Sequence, residues 1–207
     1  MFDLTSFISL ATINLLALIS PGPDFAIVVK NSIRYSRKNA LLTALGITLG
    51  DLVYVTSSVL GLGLIIQENN WVLSILKYLG AGYLLYIGFK NIRAKKTQKT
   101  DVYHHSKTEI SSLKAIGSGF YTTLLNPKCF LYFVSIFSVF ITPDTTSSVK
   151  ILYIILIAGQ ALLWFSFVAF CLSHKRAKEK FNSIGYLIDR ITGAIFIVFG
   201  LKLILFP

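Results

Sequence analysis

Charged residues are scarce in this chain, and acidic residues are the scarcest. Only 14% of the 207 residues are charged, with 9 Asp and Glu against 20 Lys and Arg. A soluble domain carries about a quarter charged residues, whereas 54% of the residues here are hydrophobic and the mean hydropathy is +0.69. This composition excludes an ordinary soluble domain and indicates an integral membrane protein.

Cysteine and histidine are also rare, which limits the chemistry available to the chain. Cys129 and Cys171 stand alone in apolar sequence without a CxxC spacing, so we expect both to behave as buried apolar side chains. The three histidines fall in polar connectors, and no nucleophile has a base beside it. We therefore expect no catalytic residues, no metal site and no cofactor. The basic residues lie between long apolar runs, which argues against nucleic-acid binding.

Long apolar runs are abundant, and they predict an all-α membrane fold with six transmembrane helices. A helix needs roughly 20 apolar residues to cross the hydrocarbon core. The predicted spans run from Leu4 to about Lys30, Ala40 to Ile66, Trp71 to Phe89, Ala115 to Ile141, Ile151 to Ser173 and Ser183 to Phe206. The sixth span is the least apolar, because it contains Asp189, Arg190 and Lys202.

Basic residues alternate between successive connectors. Short cytoplasmic loops concentrate Lys and Arg, and the first, third and fifth connectors are rich in both, while the second and fourth are not. This alternation predicts six crossings with both termini outside.

A polar connector divides the chain into two halves. Residues 1–92 contain the first three predicted spans, residues 93–112 form a cytoplasmic connector, and residues 113–207 contain the last three. Two successive three-helix units insert in opposite directions, which is the inverted-repeat design of many secondary transporters. In such a design, one half rocks against the other around a site near the middle of the membrane.

The leading helix of each half contains a proline interruption, and we expect the two interruptions to form a substrate site. Proline cannot donate a backbone hydrogen bond, so Pro21 and Pro23 free the carbonyls of Ala17 and Ile19, and Pro127 frees that of Thr123. Freed backbone groups within a membrane must line a cavity or be buried in protein. The expected substrate-binding residues are Pro21, Gly22, Pro23, Asp24, Asn126, Pro127 and Lys128.

Such a site has the charges that a zwitterion needs. Lys128 and the N–H groups at the start of a half-helix would bind a carboxylate. Asp24 and freed carbonyls would bind an ammonium group.

Asp51 is the other acid within a predicted span. An ionisable residue at this depth is a candidate for proton or substrate coupling, and the alternative is a structural ion pair with Lys128 or Lys77. Gly46 and Gly50 precede it with the spacing that lets a second helix pack closely. Asn14 and Gln160 either line the cavity or only form hydrogen bonds between helices.

Several segments resemble those of the lysine-exporter type translocators, the LysE/RhtB family. They are Pro21-Gly22-Pro23-Asp24, the segment from Leu45 to Asp51, the segment from Lys77 to Leu84, and Asn126-Pro127-Lys128 with the aromatic residues after it. One departure is Ser36-Arg37-Lys38-Asn39-Ala40, where the family usually has Gly-Arg-Arg-Ala-Gly.

The resemblance implies a multi-pass protein of the bacterial inner membrane that exports basic or neutral amino acids or homoserine-like compounds. It also implies exchange with protons and a homodimer in contact with membrane lipids. The alternatives are a metal-cation efflux transporter of similar size and a non-transporting membrane scaffold. A metal transporter would need more acids, histidines or thiols within the membrane than this chain offers.

Overall fold

The computed structural model describes residues 3–68, 70–94, 110–142, 144–171 and 175–205. These residues form eight helices. The helices are α1 (Leu4–Ile19), α2 (Pro23–Arg34), α3 (Arg37–Glu68), α4 (Asn70–Ile92), α5 (Ser112–Leu124), α6 (Pro127–Phe140), α7 (Ser147–Cys171) and α8 (Lys175–Leu205). Most of the predicted connector at 93–112 lies outside the described residues.

Two helices are long and apolar enough to span a membrane by themselves. Their spanning segments are Arg37–Gly61 of α3 and Ser147–Cys171 of α7. Two further pairs qualify together, since α1 and α2 meet at a bend of 56° and α5 and α6 at a bend of 60°. Within the described residues α4 and α8 add no further segment of this kind, so two to four spans are found and the six-span arrangement stays a prediction.

The outer surface of the helices is apolar. Large side chains such as Leu163, Val198 and Leu79 are each at least 65% exposed, whereas Thr123 and Thr192 are fully buried. Apolar residues outside and polar residues inside are what a lipid environment favours. The distribution therefore agrees with a membrane protein.

The interior contains two apolar clusters that meet around a cavity. One cluster includes Tyr132 and Phe133 of α6 with Phe196 of α8. The other includes Phe25 of α2 and Phe165 of α7. All five rings also line the cavity described below, so packing of the core fixes the walls of that cavity.

Helices α3 and α5 cross in backbone contact. A Cβ atom at Gly46 would lie 2.0 Å from the carbonyl oxygen of Ile116, and one at Gly119 would lie 2.1 Å from that of Thr43. A Cβ at Gly50 would lie 2.8 Å from the Cβ of Thr123. Only glycine permits this approach, and it brings Thr123 close to α3.

A second close crossing joins α4 and α8. A Cβ at Gly193 would lie 2.6 Å from the carbonyl oxygen of Gly88, and a Cβ at Gly88 would lie 2.8 Å from that of Gly193. The two glycines therefore face each other. This crossing positions α8 beside the end of α1.

Candidate functional site

The first interruption separates α1 from α2. The N–H of Ser20 donates to the carbonyl of Leu16 at 3.2 Å, and this is the last bond of α1. No described residue donates to the carbonyls of Ala17, Leu18 and Ile19. Gly22 has an extended backbone, and among the described residues no side chain caps the start of α2. The predicted interruption at Pro21 to Pro23 is confirmed, as are the freed carbonyls of Ala17 and Ile19.

The second interruption differs, because its backbone groups are mostly satisfied. The N–H of Asn126 donates to the Thr123 carbonyl at 3.0 Å, so the expectation of a free carbonyl at Thr123 is wrong. The side-chain oxygen of Asn126 accepts from the N–H of Lys128 at 3.1 Å and caps α6. The Tyr54 hydroxyl donates to the Leu124 carbonyl at 2.5 Å. The interruption itself is confirmed, but the polar groups available there are side chains.

Asp24 connects the two interruptions. Its carboxylate accepts a hydrogen bond from the hydroxyl of Thr123 at 3.0 Å and one from the thiol of Cys129 at 3.3 Å. Thr123 belongs to α5 and Cys129 to α6, so the start of α2 is bound to both halves of the second interrupted helix. Cys129 is therefore a polar partner of Asp24, and the expectation that it behaves as a buried apolar residue is wrong.

Lys128 places a positive charge beside the first interruption. Its ammonium nitrogen lies 3.9 Å from the position that a Cβ would take on Gly22. It forms no ion pair with a described acid, although Asp24 lines the same cavity. The backbone carbonyl of Lys128 accepts from the Tyr83 hydroxyl at 3.2 Å. Among the described residues, none forms a hydrogen bond or an ion pair with this ammonium group.

Asp51 is a buried acid that receives no hydrogen bond from the described residues. It is 4% exposed on α3, and it lines the same cavity as Asp24. The structural alternative of an ion pair with Lys128 is absent, and the side chain of Lys77 lies outside the described part. Asp51 therefore lines the cavity, and none of the described residues forms a hydrogen bond or an ion pair with its carboxylate.

These groups line one cavity between α1, α2, α3, α6, α7 and α8. The cavity has a volume of about 60 Å³, which is enough for several water molecules. The polar lining consists of Asn14, Ser20, Asp24, Asp51, Asn126, Lys128, Cys129 and Tyr132, with Gly22 and Pro23 at the first interruption. Pro21 and Gln160 are not among the described lining residues, and the side chain of Pro127 lies outside the described part.

An amide network forms one wall of the cavity. The amide of Asn14 donates to the side-chain oxygen of Gln160 at 2.9 Å, and the amide of Gln160 donates to the Ala11 carbonyl at 2.9 Å. The Tyr132 hydroxyl donates to the oxygen of Asn14 at 3.4 Å. Gln160 therefore fixes the orientation of the Asn14 amide without itself being among the described lining residues, whereas Asn14 and Tyr132 line the cavity.

Sequence reasoning missed Ser20, Cys129, Tyr132 and Thr123. Two of them adjoin predicted site residues, since Ser20 precedes Pro21 and Cys129 follows Lys128. Their position next to these predicted residues is the sequence feature that could have identified them. Among the described residues, no group of three or more His, Cys, Asp or Glu side chains is arranged to hold a metal ion.

Comparison with known proteins identifies the family. The sequence pattern of the LysE type translocators matches residues 15–206. The chain is 32% identical over 200 residues to the threonine efflux protein of Escherichia coli K12, which covers 96% of this chain and 97% of that protein. It is 29% identical to an uncharacterized membrane protein of Bacillus subtilis over 98% of both chains. No solved structure matches it. The chain belongs to the LysE type translocator family.

Proposed function

We propose that this protein exports small neutral amino acids from bacteria in exchange for protons. The observation that carries the proposal is a cavity with charges of both signs, placed where two interrupted helices meet. Lys128 supplies the positive charge, and Asp24 and Asp51 supply the negative charges. A zwitterionic amino acid is a ligand that such a cavity suits.

Each end of the amino acid has a complementary group. The ammonium of Lys128 and the uncapped start of α2 suit a carboxylate. The carboxylate of Asp24 and the free carbonyls of Ala17 and Leu18 suit an ammonium group, since all three residues line the cavity. The aromatic walls suit a short side chain.

A hydroxyl on that side chain would find partners in Tyr132 and Asn14. Both line the cavity, and their mutual hydrogen bond of 3.4 Å is long enough to be exchanged for bonds to a ligand. The threonine efflux protein of E. coli is a relative over nearly the whole chain. Threonine and homoserine are therefore the substrates that we favour over basic amino acids.

Proton coupling is assigned to Asp51. Two neighbouring carboxylates repel each other when both are ionised, and Asp24 and Asp51 line the same cavity. A proton on Asp51 or a substrate ammonium at Asp24 relieves the repulsion. Proton and substrate would then occupy the cavity alternately, as an antiporter with alternating access requires.

The proton gradient would supply the driving force for export by antiport. One charge that crosses 100 mV contributes about 2.3 kcal/mol, and the pH difference adds to this.

The protein would lie in the inner membrane as a homodimer, with both termini outside. A reporter fused to the C-terminus tests the orientation.

Efflux from proteoliposomes tests the function. Vesicles with purified protein are loaded with labelled threonine, homoserine, valine or lysine, and efflux is followed with and without an acidic external medium. We expect threonine and homoserine to leave fastest and the external acid to accelerate them. A parallel arm loads Zn²⁺ or Mn²⁺. Metal efflux without amino-acid efflux would favour the metal-transport alternative, and no efflux of any amino acid would contradict the proposal.

A further inference from the structure

The carboxylate of Asp24 has one hydrogen-bond donor on each of its two oxygen atoms. The hydroxyl of Thr123 donates to Oδ1 at 3.0 Å, and the thiol of Cys129 donates to Oδ2 at 3.3 Å. The Thr123 hydroxyl also lies 3.3 Å from the Gly119 carbonyl oxygen, but its single proton favours the shorter contact with a carboxylate. The two donors together fix the plane of the Asp24 carboxylate.

The two donors come from opposite sides of the second interruption. Thr123 lies in the last turn of α5 and Cys129 in the first turn of α6. Thr123 is fully buried, and its side chain packs directly against Gly50. Because a threonine side chain has few rotamers, this packing fixes the direction of its hydroxyl. Cys129 lines the cavity together with Asp24. The bent helix therefore holds the carboxylate from both of its arms.

This arrangement leaves acceptor positions on Asp24 for a ligand in the cavity. An ionised carboxylate has about four positions that accept hydrogen bonds, and Thr123 and Cys129 occupy two of them. An ammonium group brings three N–H donors and a positive charge, whereas a hydroxyl group brings one donor and no charge. A carboxylate whose orientation is already fixed loses less entropy when it binds a ligand. The two donors therefore strengthen the contact that distinguishes an ammonium group from a neutral one.

We infer that Thr123 and Cys129 are positioning residues of the export site, which set its preference for an ammonium group by fixing the Asp24 carboxylate. The inference rests on the proposed function and deepens it, because it names the residues that distinguish an amino acid from the corresponding hydroxy acid. A residue that only stabilised the fold would affect the binding of both ligands equally.

Kinetics of threonine efflux test this role. Thr123→Val keeps the shape of the side chain and removes the donor. We expect its half-saturating threonine concentration to rise about fivefold, the scale of one hydrogen bond, with a maximal rate within about twofold of wild type. Cys129→Ala should give a smaller rise, because a thiol is a weak donor. Thr123→Ser and Cys129→Ser each keep a donor and should bring the half-saturating concentration back toward wild type.

The hydroxy acid that corresponds to threonine separates positioning from a loss of structure. It carries a hydroxyl in place of the ammonium group, and its inhibition constant is measured by competition with labelled threonine efflux. In Thr123→Val this constant should rise less than about twofold, because a neutral donor bonds a carboxylate more weakly than an ammonium group does. Equal rises for threonine and the hydroxy acid would overturn the inference. If the hydroxy acid does not inhibit the wild-type protein, rescue by Thr123→Ser decides instead.

The matched control is Thr122→Val, on the same helix. The hydroxyl of Thr122 donates to the Ser118 carbonyl at 2.6 Å, and Thr122 is not among the described lining residues, so this variant should behave like wild type. An unchanged half-saturating concentration in both Thr123→Val and Cys129→Ala would overturn the inference. If Thr123→Val fails to accumulate, Cys129→Ala and Cys129→Ser provide the same comparison on a half-buried side chain.

A second measurement does not depend on transport. In a Cys171→Ala protein, Cys129 carries the only thiol, so its S–H stretching band is observed alone in the infrared spectrum. A hydrogen bond to a carboxylate weakens the S–H bond, and we expect the band to shift to higher frequency when Asp24→Ala is added. Equal band positions would overturn the inference even if the wild-type protein exports no amino acid, an outcome that would separately contradict the proposed function.

Discussion

The hydroxyl of Thr123 on α5 donates a hydrogen bond of 3.0 Å to the carboxylate of Asp24 on α2. This bond joins residues from the two predicted halves of the chain, at the points where both leading helices are interrupted. Thr123 in turn lies against Gly50 of α3, because that glycine leaves room for its side chain. The geometry of the acid at the candidate site therefore depends on a helix crossing as well as on the interruptions.

Replacing Asp51 by Asn should uncouple export from the proton gradient. The amide cannot take up and release a proton, so the acceleration of threonine efflux by external acid should disappear. Exchange of labelled for unlabelled threonine should persist, because it needs no net proton movement. Both rates are measured in the same proteoliposomes, with Asp144→Asn as control. Undiminished acid-driven efflux in Asp51→Asn would remove Asp51 from the coupling mechanism.

Replacing Gly46 by Ala should destabilise the protein. The added Cβ would lie 2.0 Å from the Ile116 carbonyl oxygen, and overpacking of this kind costs about 1–3 kcal/mol. The measurement is the thermal midpoint of the detergent-solubilised protein.

Gly61→Ala is the matched control on the same helix. No atom lies within 4 Å of the Cβ position at Gly61, and alanine is the better helix former by about 1 kcal/mol. The midpoint of this variant should stay equal or rise. Equal midpoints for Gly46→Ala and Gly61→Ala would contradict a tight crossing of α3 and α5.

The sequence predicted both interruptions because proline removes a backbone donor wherever it lies. It did not predict the hydrogen bond from the N–H of Asn126 to the Thr123 carbonyl, because that bond depends on the backbone conformation of the turn between α5 and α6. Nor did it predict Tyr132 or Cys129, because the rotation of α6 decides which of its side chains face Asn14 and Asp24. Asp189 was interpreted only as a charge that shortens the last apolar run, because its hydrogen bond with Ser20 depends on the placement of α8 beside α1.

Replacing Tyr132 by Phe should reduce selectivity for a substrate hydroxyl. The ring would stay in place, but the hydroxyl that faces the cavity with Asn14 would be lost. We expect the preference for threonine over valine to fall by about tenfold, as one hydrogen bond to a bound ligand contributes about 1.4 kcal/mol. Competition of each amino acid with labelled threonine efflux measures the preference. Tyr121→Phe, on an exposed side chain of α5, should leave it unchanged, and equal behaviour of both variants would argue against Tyr132 as a substrate contact.

Acid should loosen the first turn of α1. Asp3 caps this helix, and the hydrogen bond from the Ser6 hydroxyl, together with the backbone N–H groups of Ser6 and Thr5, lowers the pKa of Asp3 below its usual value of 3.8. Because the folded pKa is lowered, the stabilisation is present above pH 3.8 and is lost as the pH falls through the folded pKa.

Hydrogen exchange of the Ser6 and Phe7 amides, corrected for intrinsic rates, measures this loosening. Asp3→Asn keeps an acceptor at every pH, so protection in that variant should not change with acid. A pH-independent first turn in the wild-type protein would contradict the capping role of the carboxylate.

The crossing of α3 and α5 has a consequence for how the protein can move. Gly46 and Gly119 place main chain against main chain across the boundary between residues 1–92 and 113–207, with no layer of side chains to slide or repack. If one half rocked as a unit against the other, this backbone contact between α3 and α5 would have to break. We therefore expect α5 to move together with α3 during the transport cycle. The hinges would then lie within each half, at the 56° bend between α1 and α2 and the 60° bend between α5 and α6.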